Sequence, residues 1–381
     1  IKAIDGSHLW SKTYDRELKV KELFAVQEDI ATCVADELKL TFGIDKASKQ
    51  LGGTDNMEAY ENFLVAKVQI TNWQRDLALR SIEKAIELDP EFALAWTLRV
   101  VIYWYQLAFT PGYRVNSDQD LGLKAALRAV ELEPNLAEAY YSLGLARLLR
   151  SEFIEAESAY REAMKRSYDP INCHYFGLNV YSIAVGNFER ANEFIEAFRQ
   201  GDPLNSTNYM NSLIISGILG DVQQAEDKYA MGNALFDQGW EGPSISMFRL
   251  GAKDVITPEE IVGSSKEFEV VKAYPDSPKE GLAELRRIYI DDSKLDSGRF
   301  MNISVLAAYY GDYDFAMESL EKAVSINGAW LYFSWFPVMK EVRQLPRFKE
   351  WAKEIGLVDY WKEYGWPDLC HPVGDDDFVC N

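Results

Sequence analysis

The sequence predicts an all-α protein built as an α-α superhelix, a solenoid of paired helices, and three observations carry that reading. The stretch from Ala139 to Ala163 reads as two short amphipathic helices joined by a tight turn at Arg150-Ser151-Glu152. Tyr140, Leu143 and Gly144 share one face of the first helix, and Ala156, Tyr160 and Ala163 follow helical steps on the second. The pattern then recurs. Ala78, Ile82 and Ala85 precede Pro90, Ala129 precedes Pro134, Ala163 precedes Pro170, and Ala191, Ile195 and Phe198 precede Pro203. Those prolines stand 44, 36 and 33 residues apart, one period with a single insertion. Finally, 48% of the 381 residues are hydrophobic and 13% aromatic, which supplies a continuous core and argues against disorder.

From the start of the chain, residues 1–14 alternate around Asp5-Gly6, the signal of a short β-hairpin. A lone hairpin is marginal, so its strands are expected to belong to a larger sheet, and residues 1–42 are read as the end of a separate domain. Phe24, Val26, Ile30, Val34 and Leu38 mark a helix over roughly 22–41, with Glu28 and Asp29 on its wet side. Glycines at 43, 52 and 53 punctuate a linker, 43–55. Repeats are expected over 56–238. The pairs are about 57–70 with 73–88, Phe92 to Phe109 with Asp120 to Glu133, the 139–163 pair, one over 171–200 turning at Gly186-Asn187, and one over 206–236 turning at Gly220-Asp221. The segment Thr110 to Ser117 is the insertion. Degenerate repeats occupy 239–330, with helix starts at Gly242-Pro243 and Thr257-Pro258 and a recovered register at Phe300–Tyr310 and Phe315–Ile326. Residues 331–381 are read as capping helices, chiefly 346–364, and a tail.

The aromatic, Leu-Gly, Ala-x3-aromatic and terminal Ala and Pro positions resemble the tetratricopeptide repeat. A second resemblance covers nearly the whole chain. Asp5-Gly-Ser-His-Leu-Trp-Ser-Lys-Thr-Tyr-Asp-Arg-Glu-Leu18 with Leu23-Phe-Ala-Val-Gln-Glu-Asp-Ile-Ala31 is similar to the segment preceding tetratricopeptide arrays in bacterial signalling proteins. Leu345 to Trp361 and Gly365 to Cys370 resemble the closing helices of that family. Its members include class III adenylate/guanylate cyclases and winged-helix transcriptional regulators, in which the segment ends a Tol-system-like α/β domain. The resemblance implies a non-catalytic protein–protein interaction and regulatory module, most readily of a cyclic-nucleotide cyclase, alternatively the sensor part of a winged-helix regulator.

Charge and chemistry narrow the function further. A net charge of −20 disfavours nucleic-acid binding, because phosphates must be met by clustered Lys and Arg. The most apolar run, Ala93 to Phe109, contains Arg99 and is short for a membrane span. No signal peptide is read at Ile1-Lys2-Ala3-Ile4, and a cytoplasmic setting is expected, or a periplasmic one if a membrane span precedes. No phosphate-binding loop and no His-Glu-x-x-His pair is found, and Gly242 to Ser246 lacks the second glycine of a nucleophile elbow. No catalytic residue, cofactor or metal site is therefore expected. His371 with Cys370, Cys380 and Asp375–Asp377 matches no standard zinc spacing. Cys370 and Cys380 are close enough in sequence to bridge in an oxidising compartment, or to remain thiols otherwise. A helical carbohydrate-active enzyme is the other class left open, although the aromatics here fall on repeat positions rather than beside loop carboxylates.

First helices line the concave face of such an array. In repeat register the inward positions include Trp104, Tyr105, Tyr141, Leu145, Leu148, Phe176, Val180, Met210 and Ile214, an apolar and aromatic strip. Two readings stand side by side: a groove for a protein or peptide partner, or a surface covered by the superhelix itself, the α/β domain or a second copy.

Overall fold

The computed structural model describes residues 52–72, 74–109, 115–166, 175–201, 206–235, 266–291, 295–374 and 377–381. The hairpin expected at 1–14, the helix at 22–41, and the helix starts at Gly242 and Thr257 lie outside them. Five helix pairs follow one another: α1 (Met57–Thr71) with α2 (Arg75–Leu88), α3 (Ala93–Phe109) with α4 (Val115–Leu132), α5 (Ala137–Leu149) with α6 (Phe153–Arg166), α7 (Tyr175–Ala184) with α8 (Phe188–Gly201), and α9 (Ser206–Ile218) with α10 (Val222–Leu235). Then come α11 (Lys266–Ala273), α12 (Pro278–Asp291) and a further pair, α13 (Ser297–Tyr309) with α14 (Tyr313–Ile326). First helices pack on first helices, α1 on α3, α3 on α5 and α5 on α7, which is the stacking of a superhelix. Helix α4 is described from Val115, five residues before the Asp120 at which the sequence placed it, and residues 110–114 of the expected insertion lie outside the described residues.

The turns explain why the pairs form. At Arg150-Ser151-Glu152, Val185-Gly186-Asn187, Leu219-Gly220-Asp221 and Tyr310-Gly311-Asp312 the middle residue has positive φ, 59°, 84°, 79° and 85°. In each, the third residue's N–H reaches back to the last turn of the first helix: Glu152 to Arg147 O, Asn187 to Ser182 O, Asp221 to Ser216 O and Asp312 to Ala307 O. That is the Schellman closure, which satisfies carbonyls a helix end leaves unpaired. Asn187, Asp221 and Asp312 then cap the next helix, accepting from the N–H of Arg190, Gln224 and Phe315. One residue ends a helix and its neighbour begins the next.

Packing follows the stripe. Ala78, Ile82 and Ala85, Ala156, Tyr160 and Ala163, and Ala316, Leu320 and Ala323 are all fully buried. Gly144 leaves room for the Tyr160 ring, since a Cβ there would lie 2.6 Å from it. The residues through which the sequence resembles the tetratricopeptide repeat are thus the ones that pack.

Beyond α14 the architecture changes. An aromatic 3-10 segment, Gly328–Trp335, and a second, Pro337–Met339, lead into α15 (Lys340–Arg343), α16 (Pro346–Glu354) and α17 (Leu357–Tyr364). The capping segment read over 346–364 comprises two helices, α16 and α17, separated at Gly356 with φ 77°. The expected tail is an antiparallel hairpin, β1 (Cys370–Val373) and β2 (Asp377–Cys380), in which Cys370 faces Cys380 and the two form a disulfide.

Ser151 holds a left-handed conformation that glycine adopts freely, so Ser151→Gly is expected to stabilise the chain by up to about 1 kcal/mol. Gly311 has open space around a would-be Cβ, so Gly311→Ala should cost about 1 kcal/mol through backbone strain alone. Thermal unfolding monitored by circular dichroism should show the two shifts with opposite signs.

Candidate functional site

The inner strip is where a partner was expected, and most of it is core. Trp104, Tyr141, Leu145, Leu148, Val180 and Ile214 are all buried, at between 0% and 8% exposure. They belong to one hydrophobic cluster that also holds Trp330, Leu331, Phe333, Trp335 and Trp361 from the far end of the chain. Tyr105 and Met210 are only partly buried against that cluster. The side chain of Phe176 lies outside the described residues. At these six positions the apolar strip is buried within the chain itself, which is one of the two arrangements the sequence left open.

What covers it acts on helix ends. A helix leaves its last carbonyls without intrahelical donors. The Trp335 indole N–H donates to Ala184 O at 2.9 Å, and that of Trp361 to Val185 O at 2.9 Å, so two tryptophans satisfy the end of α7. The Ser297 hydroxyl donates to Leu107 O near the end of α3, at 2.8 Å, and itself accepts from the Trp330 indole at 2.8 Å. At the end of α5 a Cβ on residue 328 would lie 2.2 Å from Leu148 O, so only glycine permits that approach. Asp368 closes the contact at the next turn. Its carboxylate accepts from the Phe188 N–H at 2.9 Å, while its own N–H donates to Gly186 O at 3.1 Å.

A buried ionic cluster lies under α17. Glu157 has no exposed side chain, and it accepts from Arg190 at 2.8 and 2.9 Å and from Arg161 at 2.7 Å. Burial alone would raise this carboxyl, but the guanidiniums of Arg190 and Arg161 hold it below its ordinary value of 4.5. Tyr181, whose hydroxyl donates to Phe153 O at 3.1 Å, packs edge-on against Tyr360 of α17, and Arg161 lies over the Tyr364 ring. Burial, with the charge of Glu157 behind it, pushes the Tyr360 phenol up to about 12. These phenols are neutral packing groups at any physiological pH.

The tail is fastened by Arg343, a buried guanidinium that donates to Ser334 O, Phe336 O and Asn381 O at 2.7, 3.0 and 2.6 Å. Burial lowers it to about 10, which leaves it charged at neutral pH. The disulfide removes Cys370 and Cys380 as thiolate ligands, so the His371 cluster noted in the sequence is chemically a strand of a bridged hairpin. Among the described residues no group of three or more His, Cys, Asp or Glu side chains is placed to hold a metal ion, and no helix is long and apolar enough to cross a membrane.

No family model matches the chain, and no curated protein matches it. Among solved structures it is similar to PilW, a widely conserved type IV pilus biogenesis factor, with TM-score 0.26 and 17% identity over 48% of this chain and 96% of that one. It is similar also to the TPR domain of P58(IPK), with TM-score 0.26 and 13% identity over 80% of this chain and 84% of that one. A third likeness is to the structure of Naa15/Naa10 bound to HypK-THB, with TM-score 0.29 and 13% identity over 82% of this chain and 43% of that one. Likeness at these TM-scores carries no argument, and the fold stands on the stacking and turn geometry above.

Two outcomes follow from the burial. Trp104→Ala is expected to cost about 3–5 kcal/mol, as for a core aromatic, whereas Tyr105→Ser, at a partly exposed position, should cost clearly less by denaturant titration. Because the Glu157 carboxyl is depressed, its stabilisation is complete above its ordinary value of 4.5 and is lost as pH falls through the lower folded value. Glu157→Gln should therefore destabilise the protein by about 1.5–3 kcal/mol at pH 7. It should also flatten the decline of melting temperature below pH 4.5, which a pH series of melts would read.

Proposed function

We propose that the chain is a non-catalytic protein–protein interaction and regulatory module of a bacterial signalling protein. The observation that carries this reading is the stacked array itself, with Tyr105 and Met210 still partly open along the line of first helices while their neighbours are buried. Partly exposed aromatic and Met side chains beside a rigid core are suited to receive an apolar segment of a partner, since the ordering cost on this side is already met. The net charge of −20 favours a basic partner surface and disfavours nucleic acid. On the resemblance of the terminal segments, the output served is a cyclic-nucleotide cyclase, with a winged-helix regulator as the alternative.

The mechanism would be a bias on closure. A partner, or a second copy, that binds beside Tyr105 and Met210 favours one arrangement of the returning half against the ends of α3, α5 and α7, and that preference is passed on as a population shift. The Cys370–Cys380 disulfide supports a setting in an oxidising compartment, the periplasmic alternative rather than the cytoplasmic one, because such bridges persist where thiols are not kept reduced.

The reading is tested by affinity capture with the full chain and with a Tyr105→Ser, Met210→Ser variant of matched melting temperature. A discrete protein retained by the first and lost by the second is the expected result. Equal retention by both removes these residues from the partner surface, and turnover of any member of a glycoside panel would overturn the non-catalytic reading.

A further inference from the structure

The bond between Cys370 and Cys380 differs in kind from the other contacts that close the molecule, because exchange with another thiol can break and remake it. It joins β1 to β2 directly across the register. Each strand is four residues long, and a two-stranded hairpin of that size is marginal in water without help. The help comes from three contacts. Phe378 is fully buried against Trp361 and Trp366, Lys349 pairs with Asp377, and Arg343 donates to Asn381 O. The ion pair is open to solvent on the Asp377 side and stabilises little. One buried ring, one guanidinium and the disulfide therefore hold β2 in place.

That hold reaches the array. Trp361, the ring beneath Phe378, donates to Val185 O. Asp368, two residues before Cys370, accepts from the Phe188 N–H and donates to Gly186 O. The turn between α7 and α8 is thus fastened from a segment that the disulfide anchors. The helix pairs are held differently, by stripes such as Ala156, Tyr160 and Ala163 that are fully buried between neighbouring helices. Opening the bond therefore acts on the docking of the return and spares the array. Both cysteines are buried, at 4% and 2% exposure, so a thiolate reaches a sulfur only when the hairpin lifts.

We propose that Cys370–Cys380 is a redox latch, opened by a dithiol of the class that thiol–disulfide oxidoreductases carry. Its opening frees the turn between α7 and α8 while the array stays folded. One thiolate of the dithiol attacks one Sγ, the S–S bond breaks, and the other sulfur leaves as a thiolate that takes a proton. The second thiol of the reductant, as thiolate, then displaces the first cysteine from the mixed disulfide, and that sulfur takes the second proton. The chain gains two electrons and two protons, and the dithiol departs as a disulfide. Exchange needs the lifted hairpin and the broken bond favours it, so each promotes the other. The latch concerns closure itself and stands whether or not a partner binds beside Tyr105 and Met210.

The test is hydrogen exchange by mass spectrometry on the full chain, oxidised and after reduction by dithiothreitol without denaturant. Exchange at the Phe188 and Asp368 amides is expected to rise roughly tenfold or more on reduction and to return on reoxidation. The amides of α5 and α6 should keep their protection. A Cys370→Ser, Cys380→Ser variant should match the reduced chain and ignore dithiothreitol, which excludes a contribution from Cys33 or Cys173. Phe378→Ala, which removes the buried ring beside Trp361, should speed reduction by a similar factor, read by alkylation and mass. Unchanged exchange at Phe188 and Asp368 overturns the proposal, because the bond is then a local staple. So does a bond that dithiothreitol leaves intact in the native chain, and so does loss of protection throughout α5 and α6. An unaltered reduction rate in Phe378→Ala overturns the gating by the hairpin. Should the double serine variant fail to fold, the array depends on the bond and the latch falls with it.

Discussion

A helical hairpin of this kind has two apolar sides and hides one of them by itself. Everything else in the molecule answers to that constraint. Within the array the answer is the next hairpin, which is why the small residues Ala78, Ala85, Ala156, Ala163, Ala316 and Ala323 are fully buried and why Tyr160 needs Gly144 opposite it. After α14 the chain turns back on the array. The aromatic segment Gly328–Trp335 and α17 fill the place a partner repeat would take.

That return is specified by polar geometry as much as by area. Burial of tryptophan is favourable only if its N–H finds an acceptor, and burial of a helix end only if its carbonyls find donors. Here the two requirements cancel: Trp335 and Trp361 donate to the carbonyls of Ala184 and Val185. Ser297 serves Leu107 and Trp330 in the same way. A slip of the returning half by one residue would leave donors and acceptors unmatched in a dry interior, so these few bonds select one docking among many apolar ones. The Glu157–Arg190–Arg161 cluster fixes the stacking of α6 on α8 beneath α17 in the same way, because a buried carboxylate tolerates only the arrangement that keeps both guanidiniums in reach.

The array was legible in the sequence and its closure was not. Period and turn chemistry are local, and residues such as Asn187, Asp221 and Asp312 declare a helix start within three positions of themselves. The run Gly-Ala-Trp-Leu-Tyr-Phe-Ser-Trp from 328 to 335 has no polar side for a helical period to reveal, and it folds as 3-10 turns buried on almost every side. Its partners, Leu148 and Ala184, lie some 150 to 180 residues earlier. Periodicity marked Trp104, Tyr141 and Leu148 as members of an apolar stripe, and they are buried. It could not identify what they face, because an inward stripe that binds a partner and one that meets the chain's own far end have the same spacing.

The disulfide shows how a local bond acts at a distance in such a closure. Its ten-residue separation spans a hairpin and does not itself link the two halves. It fixes Phe378, however, which packs fully buried against Trp361 and Trp366 with ring centroids 5.4 and 5.7 Å away, and Lys349 pairs with Asp377 beside it. Trp361 is the residue that donates to Val185. Holding the hairpin shut therefore restricts the indole that satisfies the end of α7, and the neighbouring Asp368 restricts the turn that follows it. A bond closing ten residues of tail thus bears on a turn more than 180 residues away in sequence, because the buried Phe378 of the hairpin packs against the same tryptophan that donates to Val185.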